Sequence, residues 1–372
     1  MNNKENLFFV AKCLTLDQNP EKIVEVRDVI RNDDIDWENI VRVSSGQFVL
    51  PALYLQLKRN GLIEELPADL IEHFEEITQL NRERNQAILT QVEDVTKSLN
   101  RHNIFPVYLR GVAHLLKGLY IDPAERMIGD IDFLVPEDQM VEAAEILIEE
   151  GYKPLATYYK DAFKKTKHYP RLVNSDFIAA VEIHKEVLNP PRHIAFPGNK
   201  IAKEKELINC DQYKAFIPCI EHLIIHNVYN NQINDKASIY GNIILRQMYD
   251  ISLLAINRNI IEVAKEHKYK FNTFNNYYAQ SAFVFSNPKS VIYLPTWRSN
   301  LFLKRINFYV DYPIIKQTIK TIIYFYTRII RYITLPILSI FQTHTRRLLI
   351  IRLKNPQWYR AHFRSYINFF KH

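Results

Sequence analysis

Asp130-Ile131-Asp132-Phe133-Leu134-Val135 alternates acidic with apolar residues and then runs on as pure hydrophobic sequence. Successive side chains of a strand point to opposite faces, so Asp130 and Asp132 share one face while Ile131 and Phe133 enter the core. Pro136 and Glu137 then open a helix with Ala143, Ile146 and Leu147 on its buried side and Glu142, Glu145 and Glu149 exposed, and Gly151 is placed to end it. Upstream, Ile104 to Leu109 is a short β-prone run that stops at Gly111. A helix-like stretch follows from Val112 to Tyr120, then a loop from Ile121 to Gly129. Downstream, Ala180 to Val187 alternates again, with Glu182 and His184 on one face and Val181 and Ile183 on the other. Strands and helices in this order predict an α+β fold around a small mixed sheet.

Two carboxylates side by side repel each other, an arrangement that a cation between them relieves. Oxygen-only ligands select a hard ion such as Mg²⁺ or Mn²⁺. If the two acidic strands are neighbours, Glu182 becomes the third carboxylate of a two-metal site, and replacing Asp130 or Asp132 by its amide should relieve repulsion in the metal-free protein. Gly111, between a strand and a helix, would let a triphosphate approach backbone N–H groups at the helix start, and Arg110 adds positive charge.

The rest of the chain frames this centre. With 372 residues, 47% hydrophobic and 24% charged, it has ample material for a buried core and exceeds what a single core usually holds. Residues 1–100 read as a helical domain, 101–190 as the acidic α+β core, 191–295 as a helical domain closing a cleft and 296–372 as a basic helical tail. In the first of these, Asp36-Trp37-Glu38 is expected to open one segment running to Asn60, and Pro67 to Leu99 a second. Cys13, Cys210 and Cys219 form no Cys-x-x-Cys pair, so neither a disulfide framework nor a zinc knuckle is expected, and a reducing cytoplasmic compartment is. Leu7 to Ala11 is too short for a signal peptide, and no charge-free stretch approaches a membrane span.

The acidic elements resemble the nucleotidyltransferase superfamily with the polymerase-β-type palm, and within it the uncharacterised nucleotidyltransferase family of bacteria. The corresponding residues are Leu109-Arg110-Gly111, Arg126, Asp130/Asp132 and Glu182-Ile183-His184, together with the loop Tyr120 to Arg126 and the later Arg246-Gln247-Met248-Tyr249-Asp250-Ile251. The resemblance implies transfer of a nucleotidyl group from a nucleoside triphosphate to an acceptor hydroxyl, with release of pyrophosphate. It assigns Asp130, Asp132 and Glu182 to metal binding and catalysis, Gly111, Arg110 and Arg126 to the nucleotide, and His184 to support behind the ligands. Val112 stands where the superfamily usually has Ser or Gly, Arg110 where Lys is usual, and Glu182 where Asp is commoner. Those departures keep a second reading open, a nucleotide-binding module with weakened turnover.

Three features lie outside this centre. His222 and His226 stand four apart, so they share a helix face, but no acidic residue follows at a recognisable ligand spacing; packing or a place along the cleft is expected. Arg246 and Asp250 share the same spacing and are expected to form a helix-surface salt bridge. The tail is distinctive in charge: residues 298–372 hold 14 Lys/Arg and one acid, a balance of +13 against −6 for residues 1–297. On a helical wheel Lys316, Lys320, Arg328 and Arg331 gather opposite Ile315, Ile319, Ile322, Phe325, Tyr326, Ile329, Ile330 and Ile333, while Arg360, Arg364 and Lys371 share a face beside Phe363, Tyr366, Ile367 and Phe370. Such a segment fits an anionic membrane surface, which would recruit the protein to the inner face, for example in a surface-polysaccharide pathway. It fits docking on the acidic body equally well. Nucleic acid ranks third, because no recognised binding motif accompanies the charge.

Overall fold

Apolar residues three and four apart build the first hundred residues into helices α1 (Asn3–Cys13), α2 (Ile23–Asn32), α3 (Trp37–Gly46), α4 (Leu50–Arg59) and α5 (Ala68–Arg101). The structure, a computed structural model, describes residues 3–32, 35–155, 166–208, 212–267 and 270–371; Cys210 lies outside them. The segment expected to run from Asp36 to Asn60 is two helices. Phe48, at φ 56°, turns the chain between α3 and α4, a left-handed step that no helix continues through. Asp36 caps α3 by accepting the Asn39 N–H at 2.9 Å. Along α5 the buried stripe changes character: Phe74, Ile88, Val92 and Leu99 are apolar, whereas Asn81, Asn85 and Gln91 are buried and polar.

The sheet has seven strands: β1 (Val107–Tyr108), β2 (Asp130–Leu134), β3 (Lys153–Pro154), β4 (Leu172–Val173), β5 (Ala180–His184), β6 (Lys205–Ile208) and β7 (Ala215–Pro218). Their order is β3-β4-β5-β2-β1-β7-β6. The pairs β2/β5 and β1/β7 are parallel and the remaining four antiparallel, so the sheet is mixed. It reaches beyond residue 190, because β6 and β7 form an edge hairpin within the stretch read from sequence as helical. Helix α6 (Arg110–Leu116) follows β1, and α7 (Met140–Glu149) follows β2, ending before Gly151 at φ 95°. Then come α8 (Gly198–Lys203), α9 (Ile220–Tyr229), α10 (Ala237–Tyr240), α11 (Leu245–Leu254), α12 (Ile260–Glu266), α13 (Phe271–Val284) and α14 (Trp297–Asp311). One turn of π-helix, Asn230–Asn234, prolongs α9.

Two compact units result, Met1–Asp311 and Tyr312–His372. Helix α14, placed with the tail by its sequence, belongs to the first: it buries Phe302, Ile306 and Tyr309, and Lys4 of α1 pairs with Asp311 at 2.6 Å. The second unit contains α15 (Pro313–Phe341), α16 (Thr343–Leu353) and α17 (Pro356–Lys371). Within it His362 stacks on Trp358 at 4.6 Å and meets Tyr332 and Arg328 of α15. The side chains of Tyr366, Phe370 and Lys371 lie outside those described. Among the described residues no helix is long and apolar enough to cross a membrane.

Candidate active site

Strands β2 and β5 run parallel in a register that sets Asp132 beside Glu182 and Leu134 beside His184. Ile131, Phe133, Val181 and Ile183 are wholly buried on the opposite face, so apolar burial fixes which way the acids point. Asp132 is buried; its Oδ2 lies 3.2 Å from Arg110 Nη1 and its Oδ1 2.9 Å from His184 Nε2. His184 Nε2 also lies 3.4 Å from Glu182 Oε2, and its Nδ1 faces the Glu186 carbonyl at 3.3 Å. Asp130, half-buried, is engaged differently. Arg171, just ahead of β4, bridges Asp130 (2.7 Å) and Glu182 (3.0 Å) through separate nitrogens.

These surroundings divide the three acids. Burial works to raise the pKa of Asp132, yet the Arg110 guanidinium and the His184 hydrogen bond hold it well below the usual carboxylate range. Glu182 is lowered by its contact with His184. Asp130 is raised, first by burial and then by the charges of Asp132 and Glu182. Asp132, Glu182 and His184 each bring a donor atom within 4.8 Å of the others, a set able to take a metal ion.

Beside the acids opens a cavity of about 130 Å³ lined by Arg110, Gly111, Arg126, Asp130, His226 and Arg246 among others. Its walls are the start of α6, the loop before β2, and helices α9 and α11. Arg110 holds a left-handed backbone, φ 51°, at the head of α6, and also donates to Asn230 at 3.0 Å. Gly111 has a steric reason to lack a side chain: a Cβ there would sit 2.3 Å from Ile128 Cγ2. Around the cavity Arg110 Nε, Arg126 Nε, Arg246 Nε and His226 Nε2 are buried without a hydrogen-bond partner among the described residues. Burial and neighbouring Arg126 push the Arg246 guanidinium down to about 10. The three unsatisfied guanidinium Nε donors around a polar hollow call for an anion.

Residues 33–265, well over half of the chain, match the family described as uncharacterised nucleotidyltransferase. The chain belongs to that family. No curated protein matches it. A crystal structure of a "putative nucleotidyltransferase" from Thermotoga maritima is similar at 14% identity, covering 41% of this chain and 91% of that one at a TM-score of 0.31. A superposition that loose carries no argument about this nucleotidyltransferase-family chain.

Within the family match, Arg126 is held by a buried carboxylate. Its Nη2 donates to Asp250 at 2.9 Å and its Nη1 to the Met127 carbonyl at 2.9 Å. Asp250 also accepts from the Tyr120 hydroxyl. The expected Arg246–Asp250 surface pair therefore does not form: Asp250 is buried, and Arg246 donates to the Met127 carbonyl at 3.1 Å and lies over the Phe48 ring. Next to Arg126, Glu125 takes Tyr249 at 2.6 Å and Arg59 at 2.9 Å. The loop Tyr120–Arg126 and the helix Arg246–Ile251 are thus locked together by buried pairs 124 residues apart.

The polar stripe of α5 clamps the same loop. Asn81 donates to the Ala124 carbonyl at 2.7 Å and Asn85 to those of Pro123 and Arg126 at 2.7 and 2.8 Å. Gln91 holds Ala179, just ahead of β5, through both its amide groups. Sequence reading passed over Arg171, Asn230 and this stripe. The one visible signal was three amides at helical spacing where apolar residues would complete the core. His226 lines the cavity, whereas His222 faces away, toward Glu204.

Proposed function

We propose that the protein moves a nucleoside monophosphate from a nucleoside triphosphate to an acceptor hydroxyl. The observation that carries this reading is the register pairing Asp132 with Glu182, with Asp130 on the same face, at the rim of a cavity lined by arginines whose Nε donors lack a partner among the described residues. The donor set fits a hard divalent cation, Mg²⁺ or Mn²⁺: Asp132 and Glu182 would hold it, and Asp130 would join once Arg171 turns away. When bound, such an ion supplies charge stabilisation at the reacting phosphoryl group.

The protein's own groups do the rest. Arg110 and Arg246 bind the phosphates, the close packing of Gly111 on Ile128 keeps the head of α6 within their reach, and Arg126 steadies the loop through Asp250. The acceptor oxygen bonds to the α-phosphorus as the bond to the pyrophosphate oxygen breaks, and Glu182 takes the hydroxyl proton. His184, with an acceptor at each ring nitrogen, holds Asp132 in place. Arg171 competes with a cation for Asp130 and Glu182, and half exposed, it is free to swing onto the triphosphate. Incubation of the protein with each labelled triphosphate, Mg²⁺ and a cell extract should yield a labelled acceptor and pyrophosphate. Triphosphate binding with no label transferred would leave the binding-module reading instead.

The second unit favours one addition, attachment to an anionic membrane surface. Ile322, Tyr326, Ile329 and Ile333 of α15 are each more than half exposed, and residues 312–372 contain eleven Lys/Arg and no acid.

A further inference from the structure

The hairpin β6–β7 and the start of α9 bring together three side chains that the nucleotide site does not use. Glu204 stands immediately before β6, Cys219 immediately after β7, and His222 in the first turn of α9. The antiparallel register, with Lys205 opposite Pro218, brings together Glu204 and Cys219, fifteen positions apart in sequence, and the Cys219 N–H donates to the Glu204 carbonyl at 3.2 Å. One donor atom from each of Glu204, Cys219 and His222 lies within 4.8 Å of the others.

Their individual settings favour a ligand over a finished hydrogen-bond network. His222 is 1% exposed and its ring packs edge-on against Phe196 at 5.2 Å, so the imidazole is fixed in place. Its Nδ1 is buried with no hydrogen-bond partner among the described residues. Its Nε2 stands 3.3 Å from Glu204 Oε2. Two ligands at about 2.0–2.2 Å from a tetrahedral ion are separated by about 3.3–3.5 Å, so nitrogen and oxygen already have the spacing that such an ion requires. Cys219 is the N-cap residue of α9; burial and the nearby Glu221 and Glu204 push its thiol up while the His222 backbone N–H works the other way, so the thiolate needs a cation beside it to form. Glu204 is exposed, which leaves an entry path and room for water as a fourth ligand.

We propose that Glu204, Cys219 and His222 bind a thiophilic divalent cation, Zn²⁺ by the chemistry of the ligands, which fastens the head of α9 to the β6–β7 hairpin. A mixed sulfur, nitrogen and oxygen set selects zinc over the hard ions suited to the carboxylates of β2 and β5. The clamp has a bearing on the nucleotide site, because α9 carries His226 one turn further on and leads to Asn230, both in the cavity wall. No spacing motif announces this site, since Glu204 reaches it only through the hairpin.

Cobalt reports on it directly. The full-length protein titrated with Co²⁺ should develop a near-ultraviolet thiolate-to-cobalt charge-transfer band that saturates at one ion per chain. Cys219→Ser should abolish the band, and His222→Gln or Glu204→Gln should weaken Co²⁺ binding at least about tenfold. Asp132→Asn and Cys210→Ser should both retain it, and Zn²⁺ should raise the melting temperature of the wild type by more than that of Cys219→Ser, which keeps the Asp132, Glu182 and His184 set. Absence of the band from the wild-type protein overturns the proposal without recourse to any variant. So does a band that survives Cys219→Ser or disappears with Cys210→Ser.

Discussion

Asp130 and Asp132 are two residues apart on one strand face, yet the fold treats their charges in opposite ways. Asp132 is paired with Arg110 and His184 and its charge is favoured; Asp130 is raised by burial and by its acidic neighbours, and its charge is opposed. The symmetric relief of repulsion expected from sequence therefore applies to one of them. Asp130→Asn should abolish transfer while leaving the melting temperature unchanged or slightly higher. Asp132→Asn should abolish transfer and destabilise by about 3 kcal/mol, because it leaves Arg110 without its buried counter-ion. Full turnover in either variant would remove the carboxylates from the chemistry, and equal melting temperatures would show that the surroundings do not distinguish them. Glu182→Gln should lower kcat far more than it raises the KM for triphosphate, since its proposed work is on the acceptor proton. A matching change in both would assign that work elsewhere.

Between elements, the controlling feature is the set of buried polar pairs joining the loop before β2 to α5 and α11. Asp250→Asn should destabilise by about 3 kcal/mol in urea unfolding, because Arg126 would stay buried without its counter-charge; a loss under about 1 kcal/mol would show the pair to be dispensable. His114, facing Asp250 and Arg126 in the same cluster, gives this region a pH signature. Burial pushes its imidazole down to about 4. Between the unfolded value near 6.5 and about 4 the unfolded chain binds more protons, so stability should fall as the solution is acidified, by roughly 3 kcal/mol in total for this group. His226, lowered by burial and by Arg110, acts in the same direction. Thermal melts from pH 7 to pH 4 should slope accordingly, and His114→Gln should make that slope shallower; an unchanged slope would remove His114 from it. At this scale the limits of sequence reading become physical. Strands β2 and β5 were legible because period-two alternation of Asp/Ile/Asp/Phe and Val/Glu/Ile/His survives in any tertiary context. Arg171, Asn81 and the partner of Arg126 were not, because a single arginine or asparagine carries no period and its partner is chosen by the fold. The break between α3 and α4 was missed although Gly46 and Pro51 flank it, because the left-handed turn itself falls on Phe48, a residue type that rarely adopts that backbone.

Across the whole molecule, charge and exposed apolar surface are concentrated in the second unit, Tyr312–His372. Its eleven cationic side chains meet no acid within the unit, and on α15 the arc of Ile322, Tyr326, Ile329 and Ile333 remains exposed. Cationic heads beside an uncovered aliphatic face match an anionic bilayer surface in both charge and polarity, each basic residue adding about 1 kcal/mol near such a surface before apolar burial is counted. Salt should weaken the attraction, because the charge contribution falls off within a Debye length. Vesicles containing phosphatidylserine should therefore sediment the full-length protein at low ionic strength and release much of it as salt rises. Removing residues 312–372 should abolish sedimentation while leaving nucleotidyl transfer in solution largely intact, since Asp130, Asp132, Glu182 and the cavity arginines all lie in the first unit. Replacing Ile322, Ile329 and Ile333 together by Ser separates the two contributions: it should cut vesicle binding with the charge unaltered. A full-length protein that ignores such vesicles at low salt, or one that binds neutral vesicles equally well, would overturn the assignment and favour docking of the apolar arc on protein.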